Sequence, residues 1–252
     1  MSLNNRRDFI KKAAWSGALA ISIPEIVSTA FAAGNKGQRI TLNTSDVVLF
    51  QGDSITDAGR NKEQTSYNNA NILGSGYALV AGSQLLLKYA DKNLKVYNKG
   101  ISGNKVYQLA ERWDADCLDI KPQVLSILVG VNDYWHTLTG KYNGTIKTYR
   151  DDFKALLDRT LKALPNVKLI IGEPYAVNGV KAVTDAWYPA FDGYRIAAKE
   201  LATEYKAIFI PYQAVYDEAI KHAPAAYWTG DGVHPSLAGA ALMAEAWLKS
   251  IN

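Results

Sequence analysis

Apolar residues in this 252-residue chain fall into two kinds of run. Short ones, at 47–50, 94–97, 124–129, 168–172 and 207–210, are largely apolar without strict alternation. A strand of that kind buries both of its faces, as the strands of a parallel sheet do. Longer segments at 71–89, 106–118, 146–164, 188–205 and 237–249 carry apolar residues at helical spacing. Strands alternating with helices predict an α/β fold. With the crossovers that parallel strands require, this becomes a three-layer α/β/α sandwich around a central, five-stranded, mostly parallel sheet of flavodoxin-like type. Such sheets bind ligands outside the carboxyl ends of their strands. Ser54 follows the first predicted strand, Gly103 the second and Asn132 the third, so all three are expected at that edge. No internal repeat, low-complexity tract or linker divides the chain, which predicts one domain over 33–252.

Residues 1–32 have a different character. Asn5-Arg6-Arg7-Asp8-Phe9-Ile10-Lys11 is a twin-arginine pattern, followed by an apolar stretch and by Ala30-Phe31-Ala32, a small-x-small cleavage signal. The alternative is an amphipathic first helix of the domain, but the basic, apolar and small-residue regions come in the order of an export signal. The chain is therefore expected to be exported to the periplasm or beyond. Four basic and two acidic residues in this leader leave +2 of the formal charge of +4 for the remainder. That is too mild to predict a nucleic-acid or membrane partner. Cys117 is the sole cysteine, so no internal disulfide forms. A homo-oligomer is compatible with these patterns.

The chemistry concentrates in a few segments. Val47–Phe50 runs into Gly52-Asp53-Ser54, which puts a serine in a tight turn at a strand end. Near the far end stands Asp231-Gly232-Val233-His234-Pro235. A serine hydroxyl needs a base within reach, and an imidazole held by a carboxylate is the usual one. Ser54, His234 and Asp231 thus form a candidate serine-hydrolase set, whose order in the chain is immaterial. Donors for a tetrahedral oxyanion could come from the Ser54 N–H, from the glycine loop Asn98-Lys99-Gly100-Ile101-Ser102-Gly103-Asn104, and from the amide of Asn132 in Gly130-Val131-Asn132-Asp133. Each segment alone reads equally as a turn or a helix cap. Their convergence on one sheet edge favours the site.

These four segments resemble those of the SGNH (GDSL) hydrolases. The resemblance implies that Ser54 is the nucleophile, His234 the base and Asp231 its orienting carboxylate, with Ser54, Gly103 and Asn132 forming the oxyanion hole. Further segments, Gly52–Arg60, Leu73-Gly74-Ser75-Gly76-Tyr77 and Val131-Asn132-Asp133-Tyr134-Trp135, are similar to bacterial acetylxylan-esterase-like members, which deacetylate plant polysaccharide or its fragments. The substrate expected is then an ester, small or polymeric, on carbohydrate.

Tyr134, Trp135, Trp187, Tyr188, Tyr227 and Trp228 are aromatics near segments expected at the active edge, where flat apolar faces suit sugar stacking. Trp135 has the best claim to substrate; Trp187 and Tyr188 read better as core. Asp53 is expected to support the turn around Ser54, with holding the glycine loop as the alternative; Arg60 is expected to pair with a nearby carboxylate, with substrate contact as the alternative. The three histidines share no metal-ligand spacing. Gly74-Ser75-Gly76 is no dinucleotide fingerprint, and no P-loop is present, so neither metal nor cofactor is expected. A lysophospholipase or broad carboxylesterase would use the same residues. A non-catalytic carbohydrate-binding protein would more simply have lost Ser54 or His234.

Overall fold

The structure, a computed structural model, describes residues 38–252 together with 25, 27, 28, 30 and 31. The leader expected over 1–32 lies outside the described residues apart from those five positions. They are helical, and Val27, Ala30 and Phe31 are buried in the apolar core.

Five strands form one sheet: β1 (Val47–Gly52), β2 (Lys95–Asn98), β3 (Val124–Leu128), β4 (Lys168–Gly172) and β5 (Ile208–Ile210). Their order is β2-β1-β3-β4-β5, and every neighbouring pair is parallel. The sheet is thus wholly parallel, where the sequence predicted a mostly parallel one. Each strand falls within two residues of its expected position; β1, β3, β4 and β5 are buried almost throughout, β3 (VLSIL) at all five positions, while the edge strand β2 alternates.

Among the described residues, ten α-helices follow β1: α1 (Ser54–Asp57), α2 (Ala70–Leu73), α3 (Tyr77–Lys88), α4 (Val106–Glu111), α5 (Val131–Leu138), α6 (Ile146–Ala163), α7 (Asp192–Glu204), α8 (Tyr212–Ala219), α9 (Ala225–Trp228) and α10 (Leu237–Leu248). Helices α3 and α10 pack together on one side of the sheet, and α4, α6 and α7 on the other. Phe50 of β1 meets the rings of both Tyr77 and Trp247, which fixes the first of these layers. The buried Trp247 indole donates to Ser126 Oγ at 3.0 Å, so the central strand's one hydroxyl and the indole N–H satisfy each other.

Two expected helices are broken. The segment 71–89 splits into α2 and α3 because Gly74 takes a φ of +79°, and a Cβ there would lie 2.5 Å from the Asp57 carbonyl. The segment 106–118 continues past α4 as a π-turn at Asp114–Leu118, beside the buried Trp113, whose indole donates to Thr160 Oγ1 at 2.9 Å.

In this strand order the chain leaves β1 for β2 on one side and returns to β3 on the other. The carboxyl ends of β1 and β3 therefore flank the topological switch point, where a crevice opens. Ser54 and Asn132 lie there.

Candidate active site

The turn after β1 is built by Asp53. Its backbone carbonyl accepts from Thr56 and Asp57, and its Oδ1 accepts from the Ile55 N–H at 3.0 Å, capping α1. This is the supporting role expected of it. Ser54 is thereby held as the first residue of a short helix.

At the other end of the chain, Thr229 and Pro235 form an antiparallel bridge that closes the intervening loop. Gly230 N–H donates to the His234 carbonyl at 3.0 Å across the loop's mouth. Gly232 takes a φ of +94° and lies so close to the Val177 carbonyl that a Cβ would come within 2.7 Å of it. Asp231 Oδ1 accepts from the backbone N–H of Val233 and of His234, at 2.9 and 2.7 Å. The opposite oxygen, Oδ2, lies 2.7 Å from His234 Nδ1.

His234 Nε2 lies 2.8 Å from Ser54 Oγ, a contact between residues 180 positions apart. With Nδ1 donating to the carboxylate, Nε2 is left as the acceptor for the serine hydroxyl. Burial pushes the Asp231 carboxyl up, but the bonds from the His234 ring and from the two backbone N–H groups outweigh it and hold the group below its usual value. An ionised carboxylate thus backs the imidazole. Such an arrangement can draw a proton from the serine as it attacks a carbonyl.

Three donors were expected for an oxyanion: the Ser54 N–H, the Gly103 N–H and the Asn132 amide. Among the described residues, neither the Ser54 N–H nor the Gly103 N–H meets a protein acceptor. Asn132, buried in the first turn of α5, commits one amide hydrogen to the Asn104 carbonyl at 3.3 Å and has another to offer.

The loop between β2 and α4 is pinned on several sides. Gly100 approaches α1 so closely that a Cβ would lie 2.5 Å from Asp57 N, which is a packing reason for glycine there. Asp57 Oδ2 accepts from the Ser102 N–H at 2.9 Å, and Asn98 Nδ2 donates to the Thr56 carbonyl at 2.6 Å. Arg60, buried, donates from Nε to the Gly100 carbonyl at 2.7 Å. This corrects the expectation that it pairs with a carboxylate: it holds loop backbone, and no ion pair of Arg60 occurs among the described residues. Arg112 was not anticipated at all. It donates to the Lys99 carbonyl (2.7 Å), Asn104 Oδ1 (2.9 Å), Gln51 Oε1 (3.1 Å) and Asp116 Oδ2 (2.9 Å). Only its position four residues before Asp116 hinted at a partner.

Two further carboxyls flank the site. Asp53 and Asp133 are buried, and burial pushes each up to about 7. Each has one oxygen accepting a backbone N–H, from Ile55 and Val106, and one oxygen without a partner among the described residues.

Of the aromatics, Tyr134, Trp187 and Trp228 are core residues. Trp135 is half-buried, with its ring 6.5 Å from the His234 imidazole and 5.6 Å from Trp187. Tyr227 is 57% exposed.

Residues 50–242 match the model of the GDSL-like lipase/acylhydrolase family. An acetylxylan esterase of Geobacillus stearothermophilus is 34% identical over 213 residues, covering 84% of this chain and 96% of that protein. The crystal structure of Axe2, an acetylxylan esterase from Geobacillus stearothermophilus, is 30% identical and superposes with a TM-score of 0.75 over 84% of this chain and 97% of that one. A chain from Parabacteroides merdae, assigned as a GDSL-like lipase, is 51% identical over 84% of this chain and 98% of its own, with a TM-score of 0.83. Catalytic variants of the Geobacillus enzyme have been made at a serine and at an aspartate and a histidine three positions apart. A tryptophan directly precedes that aspartate, where in this chain Gly230 precedes Asp231. The chain belongs to the GDSL-like lipase/acylhydrolase family and is a carboxylic ester hydrolase.

Proposed function

We propose that this hydrolase is an exported serine esterase that removes acetyl groups from carbohydrate of the xylan type through an acyl-enzyme on Ser54. The observation that carries the mechanism is the unbroken line Asp231–His234–Ser54, with contacts of 2.7 and 2.8 Å. Ser54 Oγ attacks the ester carbonyl carbon while its proton passes to His234 Nε2. The oxyanion is held by the Ser54 and Gly103 N–H groups and the Asn132 amide, and Asp231 balances the imidazolium. Collapse breaks the carbonyl–alkoxide bond, and His234 returns the proton to the departing sugar oxygen. Water then attacks acetyl-Ser54 with His234 again as base, releasing acetate and restoring the serine.

The choice of acetyl and of carbohydrate is supported by the similarity to an acetylxylan esterase and by the half-buried Trp135 beside the imidazole, a flat face of the kind that stacks on sugar rings. A non-catalytic binding protein has no use for the intact hydrogen-bonded line. Export is supported by the twin-arginine pattern at Arg6-Arg7. Replacing both arginines with lysine is expected to leave the protein in the cytoplasmic fraction, and undiminished export would refute that part.

The substrate is tested by a series of p-nitrophenyl esters of increasing acyl length, run beside acetate release from acetylated xylo-oligosaccharide. Preference for acetate, with acetate freed from the sugar, is the expected result. Preference for medium chains and silence on the sugar would instead indicate a lysophospholipase or broad carboxylesterase.

A further inference from the structure

The loop that carries Asp231 and His234 is held through its backbone carbonyls. The Asp231 carbonyl accepts from the Ala182 N–H at 3.1 Å, and the Gly232 carbonyl from the Val177 N–H at 2.7 Å. The Val233 carbonyl accepts from the Tyr175 hydroxyl at 2.8 Å. The His234 carbonyl accepts from Gly230, within the loop itself. The first three donors all belong to the segment 175–182, just past the carboxyl end of β4. Two of them are backbone N–H groups, which every residue but proline supplies. Tyr175 is the side chain among them, and so the anchor that depends on sequence.

Tyr175 and Val233 are both fully buried, and no second donor meets the Val233 carbonyl among the described residues. The hydroxyl is itself well fixed. Its ring stacks on that of Tyr216 with centroids 4.5 Å apart, and the Tyr216 hydroxyl lies 3.4 Å from both the Tyr175 oxygen and the Gly239 carbonyl. The neighbouring Ala176 N–H donates to Gln213 Oε1 at 3.0 Å, and the Gln213 N–H to Glu173 Oε2 at 3.0 Å, which ties the segment to the start of α8. The Asp231–His234 pair needs none of these contacts, because both residues and the N–H groups that hold Asp231 Oδ1 lie on one loop. What the anchor decides is where that pair stands relative to Ser54, which belongs to the turn after β1. The Val233 carbonyl lies in the rigid peptide plane that leads into His234, so fixing it fixes the backbone from which the imidazole reaches Ser54 Oγ at 2.8 Å.

We propose that Tyr175 is a positioning residue for the ester hydrolysis: its hydroxyl, acting through the Val233 carbonyl, holds the His234 imidazole at proton-transfer distance from Ser54. This rests on the reading of Ser54 as nucleophile and His234 as base, and on no choice of acyl group or alcohol.

The experiment compares wild type, Tyr175→Phe and Tyr216→Phe on p-nitrophenyl acetate, below their melting midpoints, with Ser54→Ala alongside and circular dichroism as the check on folding. Tyr175→Phe removes one oxygen and keeps the ring. Its kcat is expected to fall by about 10–100-fold with KM little changed, since a displacement of about 1 Å in a positioned group costs on that order. Tyr216→Phe removes a hydroxyl from the same buried stack but leaves the Val233 bond in place, so its kcat is expected to stay near wild type even where its stability drops. p-Aminophenylalanine at position 175 returns an N–H donor to the same ring and is expected to recover most of kcat. A folded Tyr175→Phe with wild-type kcat, an equal loss in both phenylalanine variants, or no recovery with the amine overturns the proposal; should Tyr175→Phe not fold, the amine variant and Tyr216→Phe still decide it by the same criteria. Activity retained in Ser54→Ala overturns instead the reading of the nucleophile beneath it.

Discussion

Arg112 offers the sharpest test of how the loop proposed to bind the oxyanion is held. Its guanidinium joins four elements: the end of β1 through Gln51, the loop backbone at Lys99, the Asn104 side chain, and Asp116. The side chain is only 16% exposed. Replacement by methionine keeps most of the apolar stem but removes every donor, leaving the part-buried Lys99 carbonyl and two side-chain amide oxygens without that partner. Hydrogen bonds to charged groups contribute about 1.5–3 kcal/mol each, and breaking a buried pair by removing one partner costs about 3–5 kcal/mol. Lys99, 3.1 Å from Asp116, still neutralises that carboxylate and limits the damage. The expected loss is therefore about 4 kcal/mol, a large part of the ~5–15 kcal/mol that holds a typical domain together.

The same change should reach the reaction. Asn104 is the residue whose carbonyl holds the Asn132 amide, and it directly follows Gly103. A shift of about 1 Å in positioned groups can cost on the order of 10²-fold in rate. Urea unfolding of Arg112→Met should show the stability loss, and p-nitrophenyl acetate kinetics well below its melting temperature should show kcat down by about 10–100-fold with KM little changed. A variant that loses less than about 1 kcal/mol, or that keeps full kcat while folded, would refute the reasoning.

Asn132→Ala removes one oxyanion donor and should lower kcat by about 10²–10³ while barely moving KM; steady-state kinetics decide it. Gly100→Ala forces a methyl against Asp57 N, where 2.5 Å is available, and should lower stability by about 1–3 kcal/mol in urea melts, with activity reduced by displacement of the loop. Asp53 and Asp133, pushed by burial up to about 7 in the folded protein from an ordinary 3.8, keep protons that the unfolded chain gives up. Their contribution is full below pH ~4 and is lost as pH rises through ~7, so these two groups make stability fall over that window. Asp133→Asn should flatten that part of the profile in thermal melts across pH, and an unchanged slope would contradict the assignment.

The strands were readable because burial on both faces leaves an unmistakable apolar run, as in β3. Helix ends were less so. The break at Gly74 depends on a close approach to the Asp57 carbonyl, which no local pattern encodes. Helix α5 went unread because its first turn is the Gly130–Asp133 motif itself, and α8 because it starts directly after β5. The candidate site divides the same way. Ser54, Gly103, Asn132, Asp231 and His234 sit in short motifs with local turn chemistry, and the structure brings Ser54, His234 and Asp231 into one hydrogen-bonded line. Arg60 and Arg112 act on partners up to 40 and 61 positions away, and an arginine's partner at that distance has no signature in the chain.

The central claim is that acetyl passes through Ser54. The most direct measurement is an acid quench of the enzyme during turnover of p-nitrophenyl acetate, followed by mass spectrometry of the peptide containing residue 54, with Ser54→Ala alongside. One acetyl group on Ser54 in the wild type, with neither adduct nor turnover in the variant, is the predicted result. A Ser54→Ala protein that still hydrolyses the ester at the wild-type rate, with no acetyl on the wild-type serine, would contradict it.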